Sequence, residues 1–355
     1  MSRERLLIVG GGQSGLAAAR AGRDRGWEPV VLEAGPDPVG SWPAYYDSLR
    51  LFSPRRFSGF PGYPFPGPPE GYPRRDEVVD FLSGYASWLG VEIRTNSRVT
   101  QVTTDREGEF TAVLADSGRV SGEAVIAASG SFASPYTPQI PGREVFAGRV
   151  LHVSEYRSPE AFAGQRVLVV GAGNSAIQVA HELTRSSHVS LTVRDRVRFA
   201  PQQVAGRDLH WWLRRTGADH LPPVILNQIV TGTPVIDTGT YRTAVTSGRL
   251  EQRHMFTTFT PDGVRWPDDT QEHVDAVIFA TGYRPHLPYL AALGVLDEDG
   301  MPRHQQGVST VLPGLGYLGL EFQRSFSSNT LRGVHRDAIR VVTALSRHRH
   351  KAPVG

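Results

Sequence analysis

The 355-residue sequence contains no cysteine. That absence excludes disulfide frameworks, thiolate metal sites, cysteine nucleophiles and any flavin reductase that hands electrons to a C-x-x-C pair. Histidines are scattered and no H-E-x-x-H occurs, so no metal site is expected. No apolar run approaches the length that spans a bilayer. The first strand begins too early for a signal peptide to precede it. A cytoplasmic protein with no membrane partner is therefore expected. Net charge is scarce as well: 38 Lys and Arg against 35 Asp and Glu leave +3. Part of that excess lies in Arg347-His348-Arg349-His350-Lys351, which reads as a solvated tail and not as a nucleic-acid arm. With 39% hydrophobic and 21% charged residues, the chain fits an ordinary globular composition with room for about two domains.

What is present begins at Leu6. Leu6-Leu7-Ile8-Val9 reads as a short buried strand, and Gly10-Gly11-Gly12-Gln13-Ser14-Gly15 follows in the order G-x-G-x-x-G. Leu16 to Ala21 then continues as a helix. This is the strand–turn–helix of a dinucleotide-binding unit. Gly10 permits the tight turn, Gly12 admits a pyrophosphate to the backbone, and Gly15 lets helix and strand pack closely. The helix N-terminus favours the negative charge of that group. A second apolar run, Val30-Val31-Leu32, ends in Glu33, where a carboxylate accepts from ribose hydroxyls.

Residues 43–75 are dense in Pro, Gly, Tyr and Phe, too rigid for a flexible linker, and loops of this kind often line sites. Asp76 is placed to cap a helix running to Gly90, with Val78, Phe81, Leu82, Tyr85 and Leu89 on its apolar face. Val99 to Ala115 reads as a small antiparallel sheet turning at Asp116-Ser117-Gly118. Glu123 to Gly130 reads as a buried strand ending in small residues.

At Val167 the opening pattern returns. Val167-Leu168-Val169-Val170 precedes Gly171-Ala172-Gly173-Asn174-Ser175-Ala176, and the register places Gly171 on Gly10, Gly173 on Gly12 and Ser175 on Ser14. Asp275 to Gly282 repeats Glu123 to Gly130. Self-similarity of this kind outweighs any single motif. The copies differ where the ligand would differ. Arg194 stands at the position of Glu33, with Arg196 and Arg198 behind it, and a guanidinium fork suits a 2′-phosphate. Ala176 replaces the third glycine. The first site is thus expected to take an adenine dinucleotide without a 2′-phosphate, and the second to take NADP.

Between the copies lies Phe146-x-Gly148-x-x-x-His152-x-x-x-Tyr156. Taken alone, His152 reads as a structural histidine more readily than as a catalyst. Near the C-terminus, Ser327-Ser328-Asn329-Thr330 offers caps for a helix. Leu331, Val334, Ala338, Val341, Val342 and Leu345 share one face of it.

Together these residues resemble the class B flavin-dependent monooxygenases, which include the flavin-containing, N-hydroxylating and Baeyer–Villiger enzymes. The resemblance runs from Leu6 to about Leu345. It rests on the two glycine turns, on Phe146/Gly148/His152/Tyr156 and on Ala280-Thr281-Gly282-Tyr283. It is nearest to short bacterial flavoprotein monooxygenases, some of them linked to arsenic-resistance operons. Three departures stand out. Val39 replaces a glycine before Gly40-Ser41-Trp42, Ser53 stands where many members place an asparagine, and Tyr156 replaces a tryptophan.

The resemblance implies an α/β fold of two Rossmann-like dinucleotide-binding domains, the second inserted into the first, each with a small antiparallel β-meander. Residues 1–157 and 284–355 would form the FAD domain and 158–283 the NADPH domain. FAD and NADPH contacts are implied at Gly10, Gly12, Gln13, Ser14, Gly15, Glu33, Trp42 and Val102, and at Gly171, Gly173, Asn174, Ser175, Ala176, Arg194, Thr281 and Gly282. The flavin would carry the chemistry through a C4a-(hydro)peroxyflavin, oxygenating a small nucleophilic N-, S- or other soft-centre substrate with O2. His152 and Ser53 are the candidate participants from the protein, and a homodimer is the assembly left open. An NADPH oxidase or flavin reductase, and an NADPH-sensing module without turnover, are the alternatives.

Overall fold

A computed structural model describes residues 4–349 except 133, 223 and 226–233. Two parallel sheets organise them. In the first, the strands lie in the order Leu315–Tyr317, Ala124–Ala127, Arg5–Val9, Glu28–Leu32, Glu92–Arg94. The short strands His304–Gln305 and Val308–Ser309 extend it antiparallel at the Leu315 edge. In the second, the order is Arg149–His152, Ala276–Phe279, Arg166–Val170, His188–Val193, Glu251–His254. Strand for strand, both follow the plan that the internal repeat predicts. Leu6, Leu7, Ile8, Val167, Leu168 and Val169 are fully buried, as expected of strands covered on both faces.

The strand Arg149–His152 joins the second sheet from upstream in the chain. It lies before residue 158, yet it pairs in parallel with Ala276–Phe279 and so belongs to the second sheet. The equivalent edge of the first sheet is filled by Leu315–Tyr317 from the return segment. Each sheet is thus closed by a strand from beyond its own continuous stretch of sequence. Two three-stranded antiparallel sheets lie outside the parallel ones: Val99–Thr104, Phe110–Leu114 and Arg119–Gly122, and Thr258–Thr260, Gly263–Arg265 and Gln271–His273.

Helix Arg75–Leu89 starts two residues earlier than a cap at Asp76 would place it, with Arg74 at the cap position. Glu77 accepts from the Arg74 backbone N–H at 2.8 Å, while Asp76 sits in the first turn, where its charge suits the helix dipole. Gly90, at φ +61°, ends the helix in the left-handed conformation. The C-terminal helix Leu331–Arg349 buries Leu331, Val334, Ala338, Val341, Val342 and Leu345 in the core that also holds Leu6, Ile8 and helix Gln13–Arg23. That packing seats its N-terminus beside the first glycine turn.

Candidate active site

The first turn is locked by close backbone contacts. Gly10 has φ +107°, and a Cβ there would lie 2.6 Å from the Ala128 carbonyl oxygen. A Cβ on Gly15 would overlap the Gly10 carbonyl oxygen, so helix Gln13–Arg23 can begin here only from glycine. Gly12 faces Gly40 across the turn, where a Cβ on Gly40 would come within 2.9 Å of the Gly12 Cα. Glu33 follows strand Glu28–Leu32 and is buried. Its carboxylate accepts from the backbone N–H of Gly11 and from that of Gly35 at 2.7 Å. The acidic group expected at the ribose is therefore fixed in orientation before any ligand arrives.

A cleft of about 900 Å3 opens from this turn. Its lining includes Gly10, Gly12, Gln13, Ser14, Glu33, Trp42 and Ser53 from the expected set. The loop 43–75 contributes Tyr45, Leu51 and Phe52, and the C-terminal helix contributes Asn329, Thr330 and Leu331 at its start. Gln13 Nε2 donates to the Asn329 carbonyl at 2.6 Å, joining the two helix N-termini. The cleft has the features a flavin dinucleotide requires: a glycine cradle that a Cβ would fill, a fixed carboxylate and a helix N-terminus.

The second turn is looser. Gly171 has φ +141° beside Ala280, but a Cβ on Gly173 would meet nothing within 4 Å. Ala176 is fully buried and begins helix packing where the first copy needs glycine. Asn174 lines the same cleft as Gly12 and Glu33, and its Oδ1 accepts from the Ile236 N–H at 3.2 Å. Arg194 is exposed just past strand His188–Val193. Ser175 stands in the first turn of helix Asn174–Leu183.

Thr281 and Gly282 form a joint between the sheets. Thr281 Oγ1 donates to the Tyr136 carbonyl, and Gly282 has φ +85°. His152 is 3% exposed and does not line the cleft. Its Nδ1 accepts from the Ser154 backbone N–H at 3.2 Å, which leaves Nε2–H to donate to the Gly282 carbonyl at 3.1 Å. Burial lowers its pKa. It is thus a neutral brace for the Thr281-Gly282 turn, and its geometry does not suit a reacting group. Ser53 does line the cleft, with its Oγ 3.0 Å from Ser58 Oγ. Val102 is fully buried in the antiparallel sheet opposite Ala112. Arg98, Val99 and Thr100 of the same strand and its approach line the cleft in its place.

Some of the wall was not anticipated. Trp42, Tyr45, Phe132, Tyr283 and His152 form a chain of ring contacts at 5.4, 4.4, 5.0 and 4.9 Å, running from the cleft to the Thr281-Gly282 joint. Desolvation of the partly buried Tyr45 pushes its pKa up to about 12. The aromatic density of residues 43–75 signalled a lining role without identifying Tyr45. Phe132 follows Ser129-Gly130-Ser131, the small-residue end of a strand, and that position was a usable signal. A second cluster had none. Asp208 accepts from Tyr72 Oη, Gln202 Nε2 and His210 Nδ1 at 2.6, 2.6 and 2.8 Å. Gln202, Asp208 and His210 lie close in sequence but share no motif, and Tyr72 comes from 136 residues before Asp208.

A cleft built on one glycine turn and reached by Asn174 from the head of the second fits a two-nucleotide oxidoreductase. The sequence matches the pyridine nucleotide-disulphide oxidoreductase family over residues 7–319, and the chain belongs to that family. It is 30% identical to the solved flavin-containing monooxygenase from Stenotrophomonas maltophilia, with a TM-score of 0.86 over 98% of this chain and 100% of that one. It is 33% identical to the indole-3-pyruvate monooxygenase YUCCA1 of Oryza sativa subsp. japonica, covering 94% of this chain and 89% of the relative. A CzcO-like oxidoreductase of Geobacillus kaustophilus is 31% identical over 97% of this chain and 98% of its own length. The chain is accordingly an oxidoreductase of the flavin-dependent monooxygenase type, and flavin monooxygenases of this family use FAD and NADPH. Among the described residues no helix is long and apolar enough to cross a membrane, and no group of acidic or histidine side chains is arranged to hold a metal ion.

Proposed function

We propose that the protein oxygenates a small substrate with O2, using NADPH as the reductant and FAD held at the first glycine turn. The observation that carries this reading is the position of Asn174. It heads the helix of the second turn and lines the same cleft as Gly12, Glu33 and Trp42. A hydride donor seated on the second turn can therefore reach a ring system seated on the first. The first sheet with its return segment, 284–355, takes the flavin, and the second sheet takes the nicotinamide cofactor.

In this reading bound FAD supplies electron transfer from NADPH and activation of O2; the chain supplies placement and shielding. Gly10, Gly12 and Gly15 admit the pyrophosphate, with Ser14 beside it and Gln13 tying the turn to Asn329. Glu33 accepts from the ribose hydroxyls. Gly171, Gly173, Ser175 and Ala176 hold the second pyrophosphate, and Arg194 pairs with the 2′-phosphate. The start of helix Leu331–Arg349 faces the cleft with free N–H groups that favour negative charge on a reduced ring. Trp42, Tyr45 and Phe132 exclude water from one side. No protein group is assigned as general acid or base, and His152 acts through Gly282.

The test mixes reduced enzyme with oxygen, with and without NADP+, and follows the flavin spectrum and peroxide release. A longer-lived oxygenated flavin species with NADP+, together with product from an amine, sulfide or ketone, supports the reading. Immediate reoxidation with stoichiometric peroxide under both conditions replaces it with an oxidase.

A further inference from the structure

Consecutive tyrosines in the loop 43–75 serve different parts of the molecule. Tyr45 lines the cleft, and its ring touches those of Trp42 and Phe132. Tyr46 is 3% exposed and sits in the core of the second sheet, with Ala176, Ile177 and Ala180 of helix Asn174–Leu183. A side chain from the stretch that follows the first turn is thus planted against the second. Its hydroxyl is answered there. Tyr46 Oη donates to Gln178 Oε1 at 2.6 Å, and the Ser175 hydroxyl acts on the same oxygen. Burial raises the pKa of Tyr46, so the donor proton is kept. Ser175 and Gln178 share one face of the helix. They lie at its start, next to Asn174, which lines the cleft.

The loop is itself tied down around this contact. Arg157 donates to the Ala44 carbonyl, and also to the Tyr45 carbonyl at 3.1 Å. Arg75 Nη1 donates to the Tyr45 carbonyl at 2.8 Å. The Asp47 N–H donates to the Arg157 carbonyl at 3.0 Å. The backbone that carries both rings is therefore held on either side of them. A shift of the helix start away from Tyr46 is then also a shift away from Tyr45 and the cleft wall. A phenyl ring would fill the same apolar space without a hydroxyl to desolvate. The hydroxyl that is present finds its partners at the nucleotide turn.

We propose that Tyr46 is a positioning residue for flavin reduction: it pins the start of helix Asn174–Leu183 to the loop that bears Trp42 and Tyr45, and so fixes the seat of the nicotinamide cofactor relative to that of FAD. The assignment rests on FAD at the first turn and NADPH at the second. Tyr46 acts through Gln178 and Ser175 and is not itself a catalytic residue. Hydride transfer depends steeply on the approach of donor to acceptor, and a misplacement of about 1 Å can cost on the order of a hundredfold in rate. Loss of one anchor among several is a smaller displacement. It should appear in the rate at saturation and not in affinity, because the pyrophosphate contacts of the turn travel with the helix.

Tyr46→Phe keeps the ring in the core and removes Oη. The purified holoenzyme is mixed without oxygen with a series of NADPH concentrations, and flavin bleaching is followed by stopped flow. The limiting rate should fall about tenfold, while the dissociation constant for NADPH stays within roughly twofold of the wild type. A second readout needs no turnover. The change in flavin absorbance that NADP+ produces in the oxidised wild type should lose most of its amplitude. Gln178→Leu should reproduce both effects, and the double variant should be no worse than the more damaged single one. An unchanged rate and spectrum with only a lower melting temperature makes Tyr46 a packing residue and overturns the proposal. A loss confined to affinity overturns it as well, as do additive losses in the double variant. A wild-type protein that NADPH does not bleach overturns the cofactor assignment and this proposal together. A bleached wild type with an equally fast Tyr46→Phe overturns this proposal alone.

Discussion

The two glycine turns share a sequence pattern and differ in how tightly they are built. At the first, Gly15 touches the Gly10 carbonyl, Gly40 closes over Gly12, and Glu33 is held by two backbone N–H groups. At the second, Ala176 is accommodated, Gly173 faces open space and Arg194 is exposed. A turn that retains its ligand through many cycles benefits from preorganisation, because little ordering remains to oppose binding. A turn that must release its ligand each cycle does not. In the proposed reading the same motif serves a resident group at one site and an exchanging one at the other.

The difference can be broken from the tight side. Gly15→Ala forces a methyl group into the Gly10 carbonyl and should destabilise the first domain by about 3 kcal/mol, with flavin lost on gel filtration. A variant that keeps its flavin and melting temperature would show that the turn relaxes freely. Next in size is Glu33→Gln, which places an amide NH2 against a backbone N–H. Leaving a buried group unpaired costs roughly 2 kcal/mol, so FAD should dissociate more than tenfold more readily in dialysis, while the KM for NADPH stays the same.

On the loose side the effects are smaller and confined to one cofactor. Arg194→Ala removes a charge-assisted contact worth about 1.5 kcal/mol, which is roughly a tenfold rise in KM for NADPH and almost none for NADH. Equal rises for both would detach Arg194 from the 2′-phosphate. Ala176→Gly should be the mildest, about 1 kcal/mol of helix stability by thermal melting. Tight flavin-like retention of NADP+ in that variant would mean that the third glycine alone sets the difference.

Much of this was legible because it is local. Strand–turn–helix units announce themselves within about ten residues, and their repetition exposed the two-sheet plan. Gly10, Gly12 and Glu33 came to one cleft because a parallel sheet delivers the ends of adjacent strands to one edge. What escaped depends on contacts distant in sequence. Val102 was expected at the cleft, but its strand turns that side chain into the core and offers Arg98, Val99 and Thr100 earlier along the edge. His152, a candidate participant from the sequence, is buried, bonded to the Gly282 carbonyl and absent from the cleft lining. The Tyr72–Asp208–His210 cluster joins segments more than a hundred residues apart, and no periodicity encodes that meeting. The absence of cysteine kept its force: the family is described by disulphide chemistry, which this chain has no thiol of its own to perform.

The strand Leu315–Tyr317 pairs with Ala124–Ala127, and this has a consequence for the order of synthesis. When Ala127 leaves the ribosome, its partner has yet to be translated. At about 5–20 residues per second, the free edge of an apolar, fully buried strand waits roughly ten to forty seconds for that partner. The second sheet, which takes Arg149–His152 from upstream, has every strand by residue 279 and can close first. The second sheet can thus be complete first, and the sheet whose strand begins the chain is the last to be complete. During that interval the nascent protein carries an unpaired strand of the kind that invites aggregation, which makes its yield sensitive to translation speed and to chaperone supply.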